Sequence, residues 1–184
     1  SSVICNNYLY QGYGCGVSVA GYGLMSDCLL YGNQGQMAGG CSVLLGIVTN
    51  CVVSNNNAAG YASGMLLSPE GGGGHSADPV RAYNTTVTAH TNVTIPAVTV
   101  SGNTGRTSNL VYGCTIADNA GPAVQLNGTN VMLSHCEVLR NRQGVSLLDG
   151  TIRNCLIAGS ADRGGVVIEG KCGVALISGC TIAG

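Results

Sequence analysis

Carboxyl groups are the first residues to consider for chemistry, because cleavage of a glycosidic bond requires two of them on one surface. The 184-residue chain contains only eight, and they are Asp27, Glu70, Asp78, Asp118, Glu137, Asp149, Asp162 and Glu169. They are scattered along the sequence, and no two of them form a recognisable pair. Four arginines lie closer together in the sequence, and they are Arg140, Arg142, Arg153 and Arg163. We interpret them as solvated charges at turns. The sequence therefore predicts no catalytic residues and a protein that is not an enzyme.

The remaining metal-binding residue types do not indicate a metal centre either. None of the ten cysteines is in a Cys-x-x-Cys motif of the kind that binds zinc. Glu70, His75 and Asp78 lie in one segment and could ligate a metal, but four successive glycines between them argue against a preformed site. This segment is interpreted as a tolerated surface loop, with contact to a partner as the alternative. The prediction is no metal and no cofactor.

Composition excludes several other functions. Charged residues make up 8% of the chain and the formal net charge is −1, so a basic nucleic-acid-binding surface is not expected. The hydrophobic content of 45% argues against disorder. No apolar run approaches the ~18 residues of a membrane-spanning helix, and Ser1 does not begin a signal peptide. We expect neither a nucleic-acid partner nor a membrane span.

One motif, Cys-x-aliphatic-x-x-Asn, recurs along the chain and defines its organisation. Clear copies begin at Cys28, Cys51, Cys114 and Cys136, and degenerate copies begin at Ser2, Thr85, Cys155 and Cys180. The steps between first positions are 26, 23, 34, 29, 22, 19 and 25 residues. Each repeat also contains a Gly-Val-x-aliphatic motif, as at residues 144–147, and a third short stretch that leads into the next copy.

Each repeat is predicted to form three short strands separated by turns, because apolar residues alternate with a period of two and β-branched residues are frequent. Stacked repeats of this kind make a single-stranded parallel β-helix, in which equivalent strands pair about 4.8 Å apart. Residues 1–184 then form one all-β domain of about seven coils, with loop insertions at about 68–79 and 101–109. A β-sandwich is the alternative, but a sandwich does not repeat one motif eight times.

The two motifs resemble those of right-handed parallel β-helix proteins of the pectin-lyase-like superfamily, and they are similar to the repeat regions of large bacterial cell-surface β-helix proteins. The resemblance covers almost the whole chain and implies that the solenoid is right-handed. It also makes polysaccharide lyase or hydrolase activity the enzymatic hypothesis to test. The clustered aspartates that such enzymes use are missing from this sequence, so the prediction of a non-catalytic protein is retained.

The alternation of side chains places the first residue of each motif inside the solenoid. Side chains stacked in this way have their Cβ atoms about 4.8 Å apart, which is more than the 3.5–4.5 Å that is usual between the Cβ atoms of a disulfide. Ten cysteines in an extracellular chain would otherwise favour disulfides, so we predict instead a column of buried thiols. It consists of Cys28, Cys51, Cys114, Cys136, Cys155 and Cys180, with Ser2 and Thr85 in the other places. Cys15 and Cys41 are predicted to share a second column, and Cys5 and Cys172 to be the more reactive thiols.

The last residue of the motif forms another column, which consists of Asn7, Asn33, Asn56, Asn119 and Asn141. In the β-helix proteins that the chain resembles, such asparagines turn inward at a bend and hydrogen-bond the backbone and each other. His90 falls in this column and is interpreted as a substitute for asparagine rather than as a catalytic residue. Both columns are predicted to be structural.

Two further features bear on binding. Asn84, Asn92 and Asn127 each begin an Asn-x-Thr sequon and are candidate glycosylation sites, although such sequons also arise by chance in an Asn- and Thr-rich repeat. Aromatic side chains that could stack on sugars, or simply pack on the surface, are concentrated in the first third of the chain, at Tyr8, Tyr10, Tyr13, Tyr22, Tyr31 and Tyr61.

The outward positions beside the cysteine column predict a flat face with almost no charge, of the kind that usually makes a contact. Neither end of the sequence shows a cap, so stacking end to end is also expected. The sequence thus favours a structural or adhesive β-helix, extracellular or at the cell surface, as a segment of a larger surface protein or a head-to-tail filament subunit. Its expected partners are copies of itself, neighbouring β-helix segments, or glycans. The alternative is a carbohydrate-binding or polysaccharide-degrading β-helix protein.

Overall fold

A computed structural model describes residues 1–69, 79–102, 108–169 and 174–184. These residues form short strands and turns without a helix, and almost all strands belong to three parallel sheets. The prediction of an all-β parallel β-helix is therefore confirmed. Glu70, His75, Asp78 and Cys172, and most of the two predicted loop insertions, lie outside the described residues.

Each coil contributes one strand to each of the three sheets. The first three coils contain β1 (Val3–Cys5), β2 (Val17–Val19), β3 (Gly23–Ser26), β4 (Leu29–Tyr31), β5 (Gln34–Gly35), β6 (Cys41–Val43), β7 (Gly46–Thr49), β8 (Val52–Ser54), β9 (Asn57–Ala58), β10 (Met65–Leu67) and β11 (Arg81–Tyr83). The following coils contain β12 (Thr86–Thr88), β13 (Val98–Ser101), β14 (Asn109–Tyr112), β15 (Thr115–Ala117), β16 (Pro122–Asn127), β17 (Val131–Ser134), β18 (Glu137–Leu139), β19 (Gln143–Leu147), β20 (Gly150–Arg153), β21 (Leu156–Ala158), β22 (Val166–Ile168), β23 (Ala175–Ser178) and β24 (Thr181–Ala183).

Strand order in each sheet follows the stacking of the coils. The first sheet runs β1-β4-β8-β12-β15-β18-β21-β24, the second β2-β6-β10-β13-β16-β19-β22, and the third β3-β7-β11-β14-β17-β20-β23. Every pairing is parallel, and the register aligns equivalent motif positions, so that Leu30 pairs with both Ile4 and Val53. A small additional sheet, β5-β9, lies between the first and second sheets and was not predicted.

Two corners of each coil are made by residues in the left-handed backbone region. One such residue precedes the first position of the seven motifs that follow Ser2, with φ from 45° to 63°, in Asp27, Asn50, Asn84, Gly113, His135, Asn154 and Gly179. Another precedes the last position, with φ from 48° to 67°, in Asn6, Gly32, Asn55, Ala89, Asp118, Arg140 and Gly159. Glycine, asparagine and aspartate tolerate this region best. From β4 to β21, the strands of the first sheet are therefore bounded on both sides by the same bend.

The core consists of aliphatic side chains stacked along the axis. In the first sheet these are the middle residues of the strands, and Leu30, Val53 and Val87 are fully buried. The third sheet contributes Val48 and Leu133 in the same way. No aromatic side chain is part of this core among the described residues, which fits a chain that lacks Phe and Trp.

The prediction that Cys15 and Cys41 share a second column is wrong. Cys41 pairs with Val17 and Met65 in the second sheet, whereas Cys15 lies in the preceding corner, where its N–H bonds to the Ala38 carbonyl. The reason is that the link from the asparagine position to the second sheet is longer in the first coil than in the second. Two residues that look equivalent in the repeated sequence can therefore occupy different places on their coils.

Candidate functional site

The cysteines that begin the motif lie in one interior column and share one interaction. Each donates its Sγ hydrogen to the carbonyl two residues earlier, as Cys51 does to Thr49 at 3.2 Å and Cys136 to Ser134 at 3.2 Å. The same bond is made by Cys28, Cys114, Cys155 and Cys180. All nine cysteines of the described residues are free thiols. The carbonyls of Thr49 and Ser134 also accept a backbone N–H of the preceding coil, from Asp27 and Gly113. The column thus adds a second hydrogen bond at one bend, a structural task.

The asparagine column forms a continuous hydrogen-bonded ladder. The Oδ1 atom of Asn33 accepts from the backbone N–H of Asn7 at 3.1 Å and from its Nδ2 at 2.9 Å. Asn56 accepts in the same way from Asn33, at 2.9 Å for both contacts. The Nδ2 groups also donate inward, as Asn56 does to the Leu30 carbonyl at 3.0 Å. Asn119 and Asn141 continue this pattern, so that buried amides and backbone groups satisfy each other.

His90 occupies one rung of this ladder and is almost fully buried. Its Nδ1 lies 3.0 Å from the backbone nitrogen and 2.9 Å from the carbonyl oxygen of Asn56. Its Nε2 makes no hydrogen bond, and a Cβ atom on Gly64 would lie 2.5 Å from it. Burial lowers the pKa of His90 from 6.5 to about 4. The imidazole is therefore neutral at physiological pH and has no access to a substrate.

The outward face of the first sheet is nearly uncharged. Of the sixteen outward positions on its eight strands, only Glu137 carries a charge. Large apolar side chains are exposed on it, with 62% of Val3, 40% of Val52 and 38% of Leu156 accessible. Flat, uncharged sheet surface of this kind is a typical contact surface.

Two of the described carboxyl groups are bound to arginines. Asp118 forms a two-pronged ion pair with Arg140, at 2.8 Å for both the Nε–Oδ1 and the Nη2–Oδ2 contacts, and this arginine holds the pKa of Asp118 below its usual value. Asp162 pairs with Arg142 at 2.8 Å. Among the described residues, no three His, Cys, Asp or Glu side chains come together in a group that could hold a metal.

A groove of about 460 Å³ crosses the first coils beside β5 and β9. Its lining includes Tyr8, Tyr10, Gln34, Gln36, Asn57 and Asn92 and contains no charged side chain; we call it the tyrosine–amide groove. The two tyrosines are 68% and 76% exposed, and the amides of Gln34 and Gln36 are also exposed. It therefore presents aromatic faces and amide groups to solvent.

The floor of this groove is held by backbone pairing and by one side chain. Tyr8 pairs with Gln34, and Gln34 pairs with Asn57, so three side chains follow one another along the axis. The Nδ2 of Asn92 donates to the Ala58 carbonyl at 2.8 Å and to Asn57 Oδ1 at 3.1 Å. Its Oδ1 accepts from the backbone N–H groups of Thr94 and Ile95, both at 3.0 Å. Asn92 thereby joins a loop of the fourth coil to β9.

The three sequons differ in their surroundings. Asn84 and Asn127 are exposed, whereas Asn92 is half-buried and uses its Nδ2 in the two hydrogen bonds of the groove floor. N-glycosylation modifies this nitrogen and removes one of its two hydrogens. Asn92 therefore has a structural role that competes with modification, while Asn84 and Asn127 remain candidate sites.

Comparison with known proteins agrees with this geometry. The family model described as "right handed beta helix region" matches residues 1–184. The chain belongs to the right-handed β-helix family. Searches of curated proteins and of solved structures gave no match. In this β-helix, the described residues include no helix that is long and apolar enough to cross a membrane.

The sequence drew attention to only part of what this β-helix exposes. The sequence shows that Tyr8 and Tyr10 lie close together. It does not show that amide side chains lie beside these tyrosines, because this depends on the pairing of β5 with β9, which was not predicted. The available signal was the position of Gln34 and Asn57, which each follow an asparagine of the ladder by one residue. Tyr8 follows Asn7 in the same way, so the ladder itself defines the row.

Proposed function

We propose that this β-helix is a non-catalytic structural and adhesive domain at an extracellular surface, which associates laterally with its own copies or with neighbouring β-helix segments. The observation that carries the proposal is the outward face of the first sheet. Only one of its sixteen outward positions has a charged residue, and Val52 and Leu156 are exposed on it. Burying such a face costs little desolvation and removes apolar surface from water.

The interior of the protein also suits a structural role. A spacer must keep its shape over its length, and here parallel strands tie each coil to the next. The ladder from Asn7 to Asn141, with His90 as one rung, adds side-chain bonds between these coils. The buried amide groups of Asn33, Asn56, Asn119 and Asn141 are used in these internal bonds. The exposed sequons Asn84 and Asn127 support an extracellular location.

A non-catalytic role is supported by the charged residues. Asp118 and Asp162 are each bound to an arginine, so neither is free to act as an acid or base without breaking an ion pair. Glycosidic cleavage needs two carboxyl groups within about 5–9.5 Å across a substrate. The scattered carboxylates provide no support for such chemistry.

Lateral association can be tested by charging the face. Sedimentation velocity over a concentration series compares the protein with the double variant Val52→Lys/Leu156→Lys. The matched control, Leu24→Lys/Leu176→Lys, places two lysines at positions of the third sheet that are 67% and 50% exposed. We expect oligomers for the protein and the control, and monomers for the first-sheet variant. A protein that stays monomeric throughout, or equal association of both variants, would contradict lateral association between copies of the chain. Electron microscopy of the same samples separates lateral bundles from head-to-tail filaments.

A carbohydrate-binding role is the second candidate, and the tyrosine–amide groove favours it. Exposed tyrosine rings beside amide groups suit the apolar faces and hydroxyl groups of a sugar. The two functions are compatible, because the groove lies outside the first sheet and adhesion to glycans is one form of surface attachment. Incubation with plant and bacterial polysaccharides, followed by assays for reducing ends and unsaturated products, would reveal degradation if the non-catalytic assignment were wrong.

A further inference from the structure

We infer that the tyrosine–amide groove binds an uncharged glycan that lies along the axis of the solenoid. The inference rests on the adhesive part of the proposed function and specifies the ligand and its site. Four properties of the groove support it: its size, its chemistry, its direction and its rigidity.

The size of the groove fits part of an oligosaccharide. Its volume of about 460 Å³ lies within the range of about 300–1,000 Å³ that is usual for small-molecule sites. It is an open groove at the surface, so a longer chain can pass through it and extend beyond both ends. A site for a long polymer needs this property.

The chemistry of the groove selects an uncharged polyol. The rings of Tyr8 and Tyr10 offer apolar faces to the C–H side of a pyranose ring. The amides of Gln34 and Gln36 each carry a donor and an acceptor and make no hydrogen bond within the described residues, so they are open to hydroxyl groups. No lysine or arginine lines the groove, so an acidic polysaccharide would lose hydration of its carboxylates without gaining a counter-charge.

The direction of the groove follows from strand pairing. Tyr8, Gln34 and Asn57 occupy neighbouring coils in register, so their side chains repeat at the strand spacing of about 4.8 Å. This spacing is comparable to the length of one pyranose unit in an extended chain. A glycan parallel to the axis can therefore offer one sugar to each coil.

The groove is also formed before a ligand arrives. Its floor is fixed by the hydrogen bonds from Leu9 N–H to the Gln34 carbonyl at 3.0 Å and from Ala59 N–H to the Gly35 carbonyl at 3.2 Å. The side chain of Asn92 donates two hydrogen bonds to the same strand and accepts three from Thr94 and Ile95, and it thereby holds its own loop against β9. A rigid platform loses little entropy on binding.

The test is titration calorimetry of the full chain with cellohexaose and mannohexaose as uncharged probes and hexagalacturonate as the acidic probe. We expect at least one uncharged probe to bind and hexagalacturonate to bind more weakly. Tyr8→Ala should lower the affinity about tenfold, because it removes a stacking surface, while Tyr8→Phe keeps the ring and should stay within about threefold. Tyr61→Ala, at an exposed tyrosine outside the groove, is the matched control and should bind like the unchanged protein.

Three results would each overturn the inference. They are no binding of either uncharged probe, stronger binding of hexagalacturonate, and an equal loss of affinity with Tyr8→Ala and Tyr61→Ala. Circular dichroism melting of each variant shows whether it is folded, and Gln34→Ala provides a second substitution in the row if Tyr8→Ala is not. Lateral association is measured separately with the first-sheet lysine variant. Loss of glycan binding with intact association therefore refutes only the groove, and the reverse result refutes only the lateral contact.

Discussion

The Nδ1 atom of His90 lies 3.0 Å from the backbone nitrogen of Asn56, in the place that an asparagine Oδ1 takes in the coils before and after it. When the proton is on Nε2, the ring accepts the Asn56 hydrogen bond as an amide oxygen would. What the ring does not reproduce is the inward bond of the asparagine Nδ2, since Nε2 has no partner. His90 is therefore a functional but imperfect rung.

The first prediction concerns the pH dependence of stability. Burial lowers the pKa of His90 from 6.5 to about 4, so the unfolded chain takes up a proton at a higher pH than the folded chain does. The free energy of unfolding should fall as the pH decreases from 6.5 to about 4, by about 2–3 kcal/mol from this residue. Urea unfolding at a series of pH values measures this loss.

His90→Asn should remove this part of the pH dependence, because an amide does not titrate. His135 is exposed, and His135→Asn is the matched control that should keep it. A pH profile of His90→Asn that runs parallel to that of the unchanged protein would show that His90 is not the group responsible.

The second prediction concerns Ala89, which has a φ of 58° in a corner where other coils have Asn55 or Asp118. Alanine in this region is strained, and asparagine tolerates it better. Ala89→Asn should therefore raise the free energy of unfolding by about 0.5–1 kcal/mol. Thermal and urea unfolding provide the measurement. Ala161→Asn, at an exposed position without a positive φ, should give no such gain, and equal effects would contradict the argument.

The third prediction concerns Thr85, which stands in the cysteine column. Its Oγ1 donates to the Tyr83 carbonyl at 2.9 Å, as the neighbouring thiols do to their own carbonyls. Thr85→Cys keeps this bond, whereas Thr85→Val has nearly the same shape but leaves the Tyr83 carbonyl with only its hydrogen bond from the Asn50 backbone N–H. Thr85→Val should therefore cost about 0.5–1.5 kcal/mol more than Thr85→Cys. Unfolding free energies of both variants, with Thr86→Val on the outer face as control, decide between hydrogen bonding and packing. Equal costs for Cys and Val at position 85 would favour packing.

The repeat determines most of this fold from sequence, because each motif position has one physical task. A small residue that can donate to the bend is needed at Cys51 and Thr85, and an amide is needed at Asn33 and Asn56. These tasks recur, so the coils and the three sheets follow from them. The outward face of the first sheet follows too, because side chains alternate along a strand.

The surface site could not be derived in the same way. The groove depends on the link between the asparagine ladder and the second sheet, and this link varies in length between coils. The same variation made the predicted pairing of Cys15 with Cys41 wrong. Local patterns determine which side chains point inward, but the stacking of irregular links depends on contacts such as Asn92 to Ala58, which join residues far apart in sequence.

The fourth prediction concerns the state and reactivity of the thiols. Cys5, Cys15, Cys28 and Cys180 are half-buried, whereas Cys41, Cys51, Cys114, Cys136 and Cys155 are buried. Burial raises the pKa of Cys41 to about 12, so its reactive thiolate is scarce at pH 8, and the core gives a reagent no path to it. A short pulse of iodoacetamide on the folded protein should label the four half-buried cysteines first. The five buried cysteines should be labelled only in urea, when the coils open.

Peptide mass spectrometry without a reductant measures both the labelled positions and any disulfide. The column cysteines should be recovered as separate, alkylated peptides after unfolding. A disulfide-linked peptide pair from Cys51, Cys114, Cys136 or Cys155 would contradict the thiol column, and so would rapid labelling of these residues in the folded protein. Thr85→Cys extends the test, because the new thiol should behave like its buried neighbours and not like Cys5.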